Sequence, residues 1–135
     1  MEQLFTVEER MTGDAVILDL RGELNKPAET VLLGSRIWED GLDQGRSFLI
    51  LNLQNINYIN SGGMAVLIRL ARAGKKGKYH TFAYGVSMHY QKLFRMVGLT
   101  EYLMIYPDEE TVMQRIAALR EAERGGDDGS APESE

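Results

Sequence analysis

Phe48-Leu49-Ile50-Leu51, followed by Leu53, is the segment of this chain that most restricts its fold. An apolar residue at nearly every position, instead of every second one, fits a strand covered on both faces. The run falls far short of the roughly 18 apolar residues of a membrane span, and no other stretch approaches that length, so no membrane insertion is expected. A strand covered on both sides needs partner strands at its edges and helices above and below it. The rest of the chain is patterned to supply them.

Upstream, Phe5 to Arg10 and Ala15 to Arg21 read as two strands joined by the turn signal Thr12-Gly13-Asp14. The turn stretch GELNKPAET follows, with Pro27 suited to a helix's first turn. Ala28, Val31, Leu32, Ser35, Trp38 and Leu42 then recur at helical spacing, closing at Gly41–Gly45. Downstream of the apolar run, QNINYIN reads as loop, and Ser61 precedes Met64, Leu67, Ile68 and Ala71 at i, i+3, i+4 and i+7. That second helix is expected to end before Gly74 and Gly77. Tyr79 to Tyr84 reads as a strand, and Ser87 opens a third helix with Tyr90, Leu93, Phe94 and Val97 on one face, stopped by Gly98. Tyr102 to Tyr106 is a last strand, after which Asp108 can cap a helix carrying Val112, Ile116 and Leu119.

The order β-β-α-β-α-β-α-β-α implies right-handed crossovers and a mostly parallel sheet. The opening pair adds an antiparallel element. The expected fold is therefore α/β: one domain with a mixed, mostly parallel sheet and about four helices, too few to cover both faces equally. With 44% apolar and 26% charged residues in 135, the chain can bury a single core without staples. Its formal charge of −5 is concentrated at the end: Asp127, Asp128, Glu133 and Glu135 have no basic residue among them, and residues 1–124 stand at −1. Residues 1–124 are expected to form the domain and 125–135 an acidic disordered tail.

The chain offers little to catalysis. It has no cysteine, which excludes a thiol nucleophile and cysteine-held metals. Its two histidines, His80 and His89, are too scattered for a metal site. No GxGxxG, GxxxxGK[ST], GxSxG or HExxH occurs. The expectation is a non-enzyme without metal or cofactor, a monomer or weak dimer, cytoplasmic because no signal peptide is visible. Nucleic acid is not an expected partner, since no basic stripe with interleaved aromatics appears. Lys75, Lys76 and Lys78 read as a solvated helix end and turn.

One segment is unusual. Ser61 sits where strand and loop give way to helix, so its side chain can cap the N–H groups of Gly63 or Met64. Gly62 and Gly63 directly after it each weaken the first turn by roughly 1 kcal/mol relative to alanine. Either they leave the serine hydroxyl open to another protein's backbone, or they are merely small neighbours that ease packing.

Gly22-Glu23-Leu24-Asn25, Asn60-Ser61-Gly62-Gly63-Met64-Ala65 with Val66-Leu67-Ile68, and Lys92-Leu93-Phe94-Arg95-Met96-Val97-Gly98-Leu99 together resemble the STAS family, specifically the bacterial anti-sigma factor antagonists. The family counterparts are a Gly-Glu-Leu/Ile-Asp turn, an Asp-Ser-[Ser/Thr]-Gly-Leu-Gly motif and an [Arg/Lys]-Leu-Phe-x-x-x-Gly-Leu stretch. In order and spacing the three cover residues 4–120. The resemblance implies that Ser61 is the phosphorylated serine. It further implies that the unphosphorylated protein binds a kinase-type anti-sigma factor, that this kinase phosphorylates Ser61 and breaks the complex, and that a PP2C-type phosphatase restores it. The partner surface would comprise Asn25, Lys26, Asn60, Ser61, Gly62, Gly63 and Met64. This chain departs from the pattern: the two acidic positions are Asn25 and Asn60, Gly62 replaces a hydroxyl residue, and Met64-Ala65 replace Leu-Gly. The departures keep a second function open, a STAS scaffold or accessory subunit, for example beside a transporter ATPase, with no phosphorylation cycle.

Overall fold

The computed structural model describes residues 4–34, 47–77 and 79–127. In chain order these form β1 (Thr6–Thr12), β2 (Ala15–Leu24), α1 (Ala28–Gly34), β3 (Phe48–Ile59), α2 (Ser61–Gly77), β4 (His80–Tyr84), α3 (Met88–Met96), a single 3-10 turn (Leu99–Glu101), β5 (Leu103–Tyr106) and α4 (Glu109–Asp127). The strands lie side by side in sequence order. β1 pairs antiparallel with β2 and every later pairing is parallel. One row of the sheet aligns Leu18, Leu51, Ala83 and Ile105. The α/β architecture with a mixed, mostly parallel sheet and four helices is the one the residue patterns imply.

The apolar run of β3 is covered on both sides. Leu49 and Leu51 face a large core built with Leu18, Leu32, Leu67, Leu70 and Phe94, which seats α1, α2 and α3. Phe48 and Ile50 face a smaller one with Ile17, Phe82, Val112 and Ile116, which seats α4 alone. Among the described residues coverage is thus unequal, three helices against one. At the start of α4 the second face turns polar, and there Arg10 links the layers. Its guanidinium donates to both carboxylate oxygens of Asp19 on β2, at 2.6 and 2.8 Å, and to Glu109 at the start of α4, at 3.0 and 3.3 Å. Asn52 donates to Asp19 at 2.7 Å and the Tyr84 hydroxyl to Glu109 at 2.8 Å. Hydrogen bonding to Arg10 holds both carboxyls below their ordinary range. Burial, then the bond to Glu109, pushes the Tyr84 hydroxyl up to about 12.

Several boundaries differ from those expected. QNINYIN is not a loop: β3 continues through it to Ile59, and β2 continues to Leu24, with register shifts at Asp19/Arg21 and Gly22/Glu23 where the longer segment bulges. α2 runs through Gly74 and Gly77. Gly74 is tolerated because Tyr79 packs against it; a Cβ there would lie 2.7 Å from the tyrosine ring. Ser87 caps α3 by accepting from the Tyr90 N–H, and Asp108 caps α4 by accepting from the Thr111 N–H at 2.8 Å, both as expected. α4 extends to Asp127, three residues into the segment expected to be tail. The part of the first helix expected beyond Gly34, including Trp38 and Leu42, lies outside the described residues.

Candidate functional site

Because β2 and β3 run parallel and both outlast β4, which ends at Tyr84, they carry the segments that follow them to one protruding corner. The Asn60 N–H donates to the Leu24 carbonyl at 3.2 Å, closing the gap between the two strand ends. The turn at Asn25 and Lys26 and the start of α2 at Ser61 are therefore neighbours, although 36 residues separate Asn25 from Ser61 in sequence. This juxtaposition follows from the parallel pairing of β2 and β3.

Capping is divided otherwise than the sequence suggested. Asn60, not Ser61, caps α2: its side-chain oxygen accepts from the Gly63 N–H at 2.9 Å, and its carbonyl accepts the first intrahelical bond, from Met64, at 2.9 Å. Ser61 is the first helical residue, exposed, and its hydroxyl takes no partner among the described residues. Asn25 does equivalent work for α1, where its side-chain oxygen accepts from the Ala28 N–H at 3.1 Å. Asp would cap equally well at both places. The two amides thus preserve the local fold while removing two negative charges from beside the serine.

The glycines are explained by this chain's own packing. A Cβ on Gly63 would overlap the Leu24 carbonyl oxygen, and one on Gly62 would lie 3.0 Å from the Lys26 nitrogen. The first turn of α2 rests directly on the end of β2, and only a residue without a side chain lets the two backbones come that close. Of the residues expected to form a partner surface, Lys26, Asn60 and Ser61 are exposed, Asn25 and Gly62 are half-buried, and Gly63 and Met64 are buried, Met64 as part of the large core. The accessible patch is therefore a hydroxyl, an amide and an ammonium group. Glu29, the carboxylate on α1, is taken up by Arg69 of α2 at 2.7 Å.

One participant escaped the sequence reading. Tyr90 of α3 accepts through its hydroxyl from the Ile59 N–H at 2.9 Å, two residues before Ser61, and so ties α3 to the site's base. Its periodicity marks Tyr90 only as a helix-face residue. Finding the bond from sequence required knowing that β3 reaches Ile59. No group of three or more His, Asp or Glu side chains able to hold a metal occurs among the described residues, and no helix there is long and apolar enough to cross a membrane.

The mixed, mostly parallel sheet in this order, with an Asn60-capped helix presenting Ser61 at its protruding corner, defines a small α/β domain. The STAS domain pattern matches residues 6–112, most of the chain, and the chain belongs to that family. Among solved structures it is similar to a putative anti-sigma factor antagonist from Thermotoga maritima, with 17% identity over 82% of this chain and 94% of that one and a TM-score of 0.67. It is also similar to the Bacillus cell fate determinant SpoIIAA in its phosphorylated form, at 22% identity, 84% and 99% coverage and a TM-score of 0.61. A third likeness is to the murine anion transporter Slc26a9, at 15% identity and a TM-score of 0.68, over 81% of this chain but 18% of the transporter.

Proposed function

We propose that this protein is an anti-sigma factor antagonist that binds a kinase-type anti-sigma factor and is switched off when that kinase phosphorylates Ser61. The observation that carries the reading is the division of labour at the start of α2. Asn60 caps the helix, so the exposed Ser61 hydroxyl is left without a partner among the described residues. SpoIIAA, an anti-sigma factor antagonist solved both unphosphorylated and phosphorylated, shares the fold and supports it. A phosphate on Ser61 would add about −1.5 to −2 charges, and at a helix N-terminus the free protein tolerates that charge well. The switch then acts on the complex, through repulsion and desolvation against the partner, and leaves the fold alone. A PP2C-type phosphatase would reset it.

The test is phosphotransfer from ATP by the cognate kinase, read by mass spectrometry of the Ser61 peptide, beside binding of Ser61→Ala and Ser61→Asp. The alanine variant is expected to bind persistently and the aspartate variant weakly, at equal thermal stability. The replacement of both acidic positions by Asn25 and Asn60 favours one alternative, a STAS scaffold or accessory subunit with no phosphorylation cycle. In that case both variants behave like wild type and no phosphate appears at Ser61.

A further inference from the structure

From Gln44 to Thr100 the chain contains eight lysines and arginines and not one aspartate or glutamate; all 20 acidic residues lie outside that stretch. The fold lays this charge asymmetry out in space. The segment supplies α2 and α3, which both pack on the larger core, whereas α4 on the opposite face carries Glu109, Glu110, Glu121, Glu123 and Asp127 alongside Arg115, Arg120 and Arg124. On the side of α2 and α3, Arg72 and Lys75 of α2 reach over the ring of Tyr102, which follows the 3-10 turn after α3, at 6.0 and 5.3 Å; acidic residues there include Glu29, which is paired with Arg69, and Glu101.

α3 adds apolar area to that charge. Met88 and Met96 are 82% and 74% exposed, Tyr58 at the end of β3 is 53% exposed, and Lys92 and Arg95 stand between the two methionines. Methionine and arginine are enriched in the centres of protein interfaces, and isolated methionines of such exposure on a short helix are not explained by packing. The surface is also continuous with the proposed switch, since the bond between Tyr90 and Ile59 joins α3 to the residue two positions before Ser61.

We infer that α3 is the second half of the partner-docking surface, and that the partner's facing surface is acidic with an apolar centre. This rests on the switch reading and gives it a mechanism. With Asn at positions 25 and 60 and no carboxylate on β3, α2 or α3, a phosphate on Ser61 introduces an anion at the start of a helix pair whose own charges are all cationic and which recognises an acidic protein. It inverts the local charge where the partner is itself negative, and like charges brought together at a desolvated interface are strongly unfavourable. The carboxylates of the usual family pattern would blunt that contrast.

The test uses the full chain and the cognate kinase-type anti-sigma factor, with association and dissociation rates measured at low and at raised salt. Lys92→Glu/Arg95→Glu is expected to weaken binding about tenfold or more, mainly through slower association, and to flatten its salt dependence. Met88→Ser/Met96→Ser is expected to speed dissociation with little change in association. Ser61→Asp should lose more affinity at low salt than at high salt. All these side chains are exposed, so melting temperatures should match wild type. Affinity within twofold of wild type for both double variants, while Ser61→Asp still weakens binding, overturns the α3 surface and leaves the switch standing. Wild-type affinity for Ser61→Asp overturns the switch itself. Sedimentation that shows a wild-type dimer lost in the methionine variant, or binding to phosphatidylglycerol vesicles lost in the charge variant, likewise overturns the assignment by giving the face to a second copy or to a lipid surface.

Discussion

Asn60 and Ser61 sit next to each other at the start of α2, yet their side chains answer to different demands. Asn60 satisfies the Gly63 N–H, one of the four donors that a helix leaves open at its start, and its loss should cost about 1 kcal/mol. Ser61 has no hydrogen-bond partner among the described residues, so Ser61→Ala should stay within about 0.5 kcal/mol of wild type. Urea denaturation of Asn60→Ala and Ser61→Ala distinguishes the two roles. A larger loss for the serine variant would return the cap to Ser61. Gly63 is the most constrained position of the site. A methyl group there must displace the end of β2, and overpacking of that kind costs typically about 1–3 kcal/mol. Gly63→Ala should therefore lower the urea midpoint and also disturb the amide resonances of Leu24 and Asn25. An unperturbed spectrum would show that the two backbones are not in contact.

At the scale of elements, α4 is fastened to the sheet at its first turn by Arg10, which joins Glu109 to Asp19 across β1 and β2. Both carboxyls titrate below their ordinary range because they accept hydrogen bonds from that guanidinium. A folded-state pKa below the unfolded one stabilises the protein above the unfolded value, and the stability is lost as pH falls through the lower, folded value. The urea midpoint should accordingly hold at neutral pH and fall once the pH drops below about 4. Arg10→Met should reduce stability at pH 7 and flatten that acid limb; parallel limbs for the two proteins would mean the network contributes nothing. This cluster was illegible in the sequence, because Arg10, Asp19 and Glu109 belong to three elements and meet only through sheet register. Legibility failed for a related reason in QNINYIN, whose polar residues look like loop but extend a strand beyond the edge of its neighbour. Helix starts at Ser87 and Asp108 were readable, since a cap is a local device. The neighbourhood of Asn25 and Ser61 was readable too, since it follows from parallel strand order alone. The identity of the α2 cap was not, because Asn60 and Ser61 are both good capping residues and one residue of register decides between them.

Over the whole molecule, the sheet separates two sides with different tasks. α1, α2 and α3 close the larger core, and the corner bearing Ser61 belongs to that side. α4 closes the smaller core on the other face, with Val112 and Ile116 fully buried, and is tied down by Arg10 at its start and by the pairing of Arg120 with Asp14 further along. If the proposed partner engages only the first side, α4 serves it by keeping the sheet covered and nothing more. Ile116→Ala removes a buried side chain from the smaller core and should cost about 2–5 kcal/mol, the range for such truncations. Below its lowered melting temperature, the variant should bind the anti-sigma factor with wild-type affinity and accept phosphate on Ser61 at the wild-type rate. Denaturation gives the first quantity, and calorimetry with a phosphotransfer time course gives the other two. A loss of affinity that tracks the loss of stability would show that both faces of the sheet act as one unit in binding. That result would place α4 inside the switch, not behind it.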